Sequence, residues 1–125
     1  MKRLAVIPLL MCLLLVACSE PDRPSIALYL AVQRDDLDQL ERHLYWGTDI
    51  NAVLPNGQYP LQTAAQNGRI IMVKNLLKHG AQINGTTTAG DTALDLAILA
   101  GRTQVADVLL ADRKSTRLNS SHGKL

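Results

Sequence analysis

Tyr59-Pro60-Leu61-Gln62-Thr63-Ala64-Ala65-Gln66-Asn67-Gly68-Arg69 lies in the middle of this 125-residue chain and decides its fold. Pro60 suits the first position of a helix, where its missing N–H leaves no bond unmade. Leu61, Ala64 and Ala65 follow at the i, i+3, i+4 spacing of one helix face. Asn67-Gly68 stops that helix, because glycine takes the left-handed conformation without steric cost. Ile70, Val73, Leu76 and Leu77 mark the buried face of a second helix, which His79-Gly80 ends. Ala81-Gln82-Ile83-Asn84-Gly85 reads as a turn.

Shifted by 33 residues, the chain meets itself without a gap. Gly57, Leu61, Ala64, Gly68, Arg69, Leu76 and Leu77 fall on Gly90, Leu94, Ala97, Gly101, Arg102, Leu109 and Leu110. One period earlier, Leu28, Ala31, Leu44, Gly47, Ile50 and Asn51 fall on Leu61, Ala64, Leu77, Gly80, Ile83 and Asn84. Such a period marks a stacked repeat. A helix pair of this size cannot bury its apolar face alone; it does so against neighbours, and about three units are needed for stability. This register leaves Val105, Val108 and Leu109 expected on an uncovered last helix pair.

The units resemble ankyrin repeats. Tyr59-Pro60-Leu61-Gln62-Thr63-Ala64-Ala65 stands where that family has Thr-Pro-Leu-His-x-Ala-Ala, and Thr92-Ala93-Leu94-Asp95-Leu96-Ala97 repeats the signature. Gly80-Ala81-Gln82-Ile83-Asn84 matches the family's Gly-Ala-x-x-Asn, as does Gly47-Thr48-Asp49-Ile50-Asn51 except at Thr48. The resemblance spans residues 22–111. It implies an all-α solenoid of about three helix-turn-helix units (22–53, 54–86 and 87–111, with the domain at 25–111) joined by β-hairpin-like turns. Tyr59 replaces the usual Thr, and the family's His is absent at Tyr29, Gln62 and Asp95. Those polar side chains normally brace the turn, so the departures bear on turn rigidity and not on the fold. Asp35 replaces a Gly, as suits an N-terminal cap with a more polar face.

Ankyrin arrays bind partners on a concave face of turn tips and first-helix surfaces. By register, the resemblance assigns protein binding to Arg34 and Trp46 in the first unit. The middle unit offers Asn56, Gln58, Tyr59, Gln66, Asn67 and His79, and the third Asp91 and Leu99. Trp46 is the only tryptophan. It reads either as an interface hot spot or as a cap at the end of the array, packed on Tyr45. Tyr59 reads as a hairpin brace or a partner contact. Leu99 is apolar where the family is polar, which points to a further repeat or a ligand.

The N-terminus carries a different message. Lys2 and Arg3 precede an apolar run, Leu4–Val16, and then Leu15-Val16-Ala17-Cys18. A charged start, an apolar core and small residues before a cleavage point make an export signal. The run is shorter than the roughly 20 apolar residues of a spanning helix, and Pro8 interrupts it. An ordinary signal peptide and an uncleaved anchor are the rival readings. The Cys after Ala17 makes the stretch resemble the lipobox of bacterial lipoproteins. That resemblance implies a signal peptide over 1–17, a lipidated Cys18 and a short tether over 18–24. Ser19, rather than Asp, implies the outer membrane, on its periplasmic face. Cys12 then leaves with the signal and Cys18 is acylated, so the folded part holds no thiol for a disulfide or a thiolate metal site.

Charge narrows the partners. All eleven Asp and Glu but only seven of the thirteen Lys and Arg lie within 19–112, a net charge of −4. A mildly acidic body argues against nucleic acid. No nucleophile–base constellation is visible, and the body's histidines, His43 and His79, read as structural or exposed. Asp35-Asp36-Leu37-Asp38 lacks the Gly and closing Glu of a calcium loop and reads as the acidic start of a helix. No catalytic residue, metal, cofactor or small-molecule substrate is expected. The expected partner is an envelope or periplasmic protein, with the membrane engaged through Cys18. A narrower possibility is an immunity protein that neutralises a secreted antibacterial phospholipase; another is an envelope assembly or stress adaptor. Residues 112–125 break the repeat in mid-motif. Arg113-Lys114-Ser115-Thr116-Arg117-Leu118-Asn119-Ser120-Ser121-His122 resembles translated sequencing-adaptor DNA, so a non-native or disordered tail is expected there.

Overall fold

The computed structural model describes the backbone of residues 19–123 and the side chains of 19–115. Cys18 and the segment before it lie outside the described residues. Among the described residues six helices follow in order: α1 (Leu28–Arg34), α2 (Leu37–Tyr45), α3 (Pro60–Gln66), α4 (Ile70–Lys78), α5 (Ala93–Leu99) and α6 (Thr103–Gly123). They pair as α1–α2, α3–α4 and α5–α6, and α3 packs between α1 and α5. Among the described residues there is no strand, and the hairpin-like connections are turns. This is the all-α solenoid that the resemblance to ankyrin repeats implies.

Local signals set each helix. Pro60 occupies the first position of α3. The Asp36 carboxylate caps α2 by accepting the Gln39 amide at 3.1 Å, and Asp38 adds charge to the first turn. An acceptor and negative charge at that end satisfy free amides and the helix dipole. The stops are equally regular. Gly68 and Gly101 sit at φ 74° and 72°, and Asp35 takes the same left-handed place at φ 57°. Each lets the next amide reach back over the helix end: Asp36 to Ala31, Arg69 to Ala64 and Arg102 to Ala97, at 2.8–2.9 Å. The first unit thus keeps the stop without its glycine.

The core follows the period. Ala31, Ala64 and Ala97 are fully buried, and their small side chains let α1, α3 and α5 approach closely. Leu40, Val73 and Ala106 form a second buried column along α2, α4 and α6. A third column does not complete itself. Val32 and Ala65 are 0% exposed, but Ile98, one period later, is 60% exposed. The expectation for the last pair is corrected here. Val105 and Leu109 are buried and Val108 is half-buried, because α6 turns that face toward its own partners. In this last pair the exposed large apolar side chains are Ile98, Leu99 and Leu110.

The C-terminal segment departs from the pattern of the earlier units. Where α2 and α4 stop at glycines with positive φ, Gly47 and Gly80, the third unit has Arg113. No stop residue intervenes, and α6 continues as helix to Gly123.

Candidate functional site

The first helices and the turns before them carry a locked polar patch. The turn before α3 closes when the Leu54 amide donates to the Gln58 carbonyl at 2.8 Å. One period on, Thr87 donates to Asp91 in the same way at 2.9 Å. Within the first of these turns, the Asn56 Oδ1 accepts the Gln58 amide at 3.2 Å. Its Nδ2 donates to Thr63 Oγ1 at 3.0 Å and to Gln58 Oε1 at 3.3 Å. The Thr63 hydroxyl donates to Gln58 Oε1 at 2.9 Å, and Gln58 Nε2 donates to Gln66 Oε1 at 2.9 Å. The result is a row of oriented amides on an exposed surface, and it unites three of the expected binding residues: Asn56, Gln58 and Gln66. Asn67, half-buried, lies next to them as the cap residue of α3.

The turns are braced without histidine. Gln62, 1% exposed, accepts the Tyr59 amide on Oε1 at 2.9 Å and donates from Nε2 to the Gly85 carbonyl at 2.8 Å. The side-chain amide has one acceptor and one donor group and uses both. Tyr59 stands beside Gly85, where a Cβ would meet the phenol ring at 3.3 Å. Tyr59 therefore braces the next turn. In the third unit, Asp95 accepts both the amide and the hydroxyl of Thr92 at 3.0 Å, while its own amide donates to Thr92 Oγ1. This is a capping box. These bonds from Thr92, with a smaller contribution from the Arg113 charge, hold the Asp95 carboxyl below its ordinary range. The turns that lack the His are thus held by Gln62 and by the Thr92–Asp95 pair.

The remaining expected residues disperse. Arg34 is exposed in the last turn of α1, Asp91 is half-buried in its turn, and Leu99 is 77% exposed at the open end. His79 does not join the patch. It caps α4, donates from Nδ1 to the Asn75 carbonyl at 2.8 Å, and lines a groove between α2 and α4 with Tyr45 and Lys78. Trp46 is engaged within the chain. Its Nε1 donates to the Pro21 carbonyl at 3.1 Å, Tyr45 packs edge-on at 5.6 Å between ring centres, and the Arg23 guanidinium lies 4.4 Å from its ring centre.

Two side chains anchor the first unit: Gln39, which the sequence reading did not single out, and His43, for which the structural rather than the exposed role holds. Gln39 and His43 occupy the positions of Met72 and Leu76 one unit later. Gln39 accepts the Ser25 amide and donates to the Ser25 hydroxyl, both at 2.9 Å. His43 is 7% exposed. A carbonyl only accepts, so its Nε2–H donates to Ile26 at 2.8 Å and its Nδ1 takes the Thr48 hydroxyl at 2.9 Å. Polar residues at two core columns were the available signal. Among the described residues, no group of three or more His, Cys, Asp or Glu is placed to hold a metal ion.

A family model for ankyrin repeats (three copies) matches residues 28–121. The chain is an ankyrin-repeat protein. It is 32% identical over 97 residues to a putative ankyrin repeat protein of Neisseria meningitidis serogroup B, covering 77% of this chain and 38% of that protein. Over the same length it is 32% identical to the mouse B-cell lymphoma 3 protein homolog, covering 77% of this chain and 22% of that one. The chain thus spans well under half of either relative. Ankyrin arrays are typically non-catalytic scaffolds that bind other proteins.

Proposed function

We propose that this ankyrin-repeat protein is a lipoprotein of the periplasmic face of the outer membrane that binds an envelope protein through its concave face. The observation that carries the binding reading is the patch of Asn56, Gln58, Thr63 and Gln66. Five hydrogen bonds fix these side chains before any partner arrives. Binding then loses little side-chain freedom, which is where affinity is commonly spent. The anchoring reading is supported by Leu15-Val16-Ala17-Cys18 and by the absence of another cysteine after it. Fully acylated, Cys18 would hold the array firmly, since each buried methylene contributes about 0.8 kcal/mol.

Photo-crosslinking in living cells tests the binding. A photoreactive residue at Asn56 should yield one adduct with an envelope protein, whereas the same group at exposed Ile71 on α4 should not. Equal adducts from both positions, or adducts with cytoplasmic proteins alone, would sink the proposal. Mass analysis of the mature N-terminus tests the anchor, with diacylglyceryl-modified Cys18 expected.

The same stiffness favours immunity as a second reading, because occluding an enzyme's active site calls for a rigid surface. Deleting the gene should then make the strain sensitive to a phospholipase effector. Unchanged survival would remove immunity while leaving envelope binding in place.

A further inference from the structure

Residues 21–26 form a strap bound along α2. The Ser25 backbone and hydroxyl meet Gln39 in the helix's first turn, and the Ile26 carbonyl meets His43. Asp22 lies 3.9 Å from Arg42, and the Pro21 carbonyl takes the Trp46 indole just past the helix end. From Pro21 to Ser25 the strap therefore runs antiparallel to α2, and the chain before Pro21 departs at the Trp46 end.

That end is aromatic. Tyr45 is 55% exposed and packs edge-on against half-buried Trp46, whose face carries the Arg23 guanidinium. Tyrosine and tryptophan pair an apolar ring with a polar edge, and they concentrate where hydrocarbon meets water. Cys18 is three residues before Pro21, and three residues span at most roughly 10 Å. The headgroup region on each side of a bilayer is about 5–8 Å deep. An acyl group on Cys18 would draw the Trp46 end of α2 down to that layer.

We infer that Tyr45 and Trp46 form a second, non-covalent contact with the membrane, seated among phospholipid headgroups, which fixes the tilt of the array. This rests on the lipid-anchor reading of Cys18. The neighbouring charges are mixed: Arg42 pairs with Asp22 and Asp38, and Arg23 lies over the Trp46 ring. Ring partitioning, not charge, therefore drives the contact, and it should be insensitive to salt.

The only tryptophan is its own reporter. The mature, acylated protein is placed in phosphatidylcholine vesicles carrying a nitroxide either near the headgroup or near the methyl end of the acyl chain. Trp46 emission should shift to the blue and lose more intensity to the shallow nitroxide than to the deep one, equally at low and high salt. Tyr45→Ser should reduce the shallow quenching without moving the thermal midpoint. An acylated protein whose Trp46 is untouched by either nitroxide would overturn the contact and leave the anchor standing. A mature protein with unmodified Cys18 would overturn both. Quenching unchanged in Tyr45→Ser would overturn the paired contact.

Discussion

The two ends of the array solve one problem in opposite ways. A repeat protein must close the faces that no neighbour covers. At the N-terminal end, Gln39 and His43 replace the apolar residues of the later units and hold a strap by hydrogen bonds. At the C-terminal end the pattern stays apolar: Ile98 keeps a side chain suited to a covered column and is 60% exposed. One end is finished with polar chemistry and the other is left as an interior surface. The identity of a residue at a repeat position thus matters less than whether its column continues.

The largest effect should come from breaking the closed end. His43→Ala strands the Ile26 carbonyl and the Thr48 hydroxyl and opens a void. It should cost about 2–4 kcal/mol, read from the urea midpoint. A loss too small to measure would mean that the strap does not close the array. Ala65→Ile places the Ile98 side chain one unit earlier, where the column is covered. Overpacking should cost about 1–3 kcal/mol, and a neutral result would show the middle interface to be loose. Asp95→Asn tests the capping box of the last unit. The carboxyl titrates below its unfolded value, so its contribution is present above the ordinary aspartate range and lost as pH falls through the depressed folded value. The variant should be less stable than the parent at neutral pH, and the gap should close in acid. A gap independent of pH would remove the charge from the explanation. The smallest effect is at the open end. Ile98→Ala should change stability by less than about 0.5 kcal/mol; a loss comparable to a core truncation would mean that something covers this face.

Much of the fold was legible. The period, the Pro60 start, the Asn67-Gly68 stop and the acidic start of α2 all rest on local chemistry, and local chemistry is readable from neighbours. The polar substitutions at Gln39 and His43 stand in the register, but what they hold does not. Their partners, Ser25 and Ile26, lie in a segment with no periodicity, reached across the helix pair. The uncovered face was misassigned for a similar reason. Periodicity finds the apolar face of α6 but cannot tell that α5, rather than a following unit, covers it. Asn56, Gln58 and Gln66 were found by register as exposed residues. Their mutual bonds depend on rotamers, which no spacing encodes. His79 fell out because one position at a helix end decides which side of the array a residue serves.

Each junction between units is tied at two separated places. At the helix stops, Arg69 reaches Asp35 at 3.7 Å, and one period on Arg102 donates to the Gln66 carbonyl at 3.2 Å. At the turns, Asn51 donates to the Gly80 carbonyl at 3.2 Å and accepts the Gln82 amide at 2.9 Å, while Asn84 accepts from Arg113 at 3.1 Å. A junction held at both ends resists hinging as well as separation. The energy shared between neighbours is what makes a linear array melt cooperatively. Ties at both ends of each junction couple neighbouring units, so thermal unfolding is expected as a single transition.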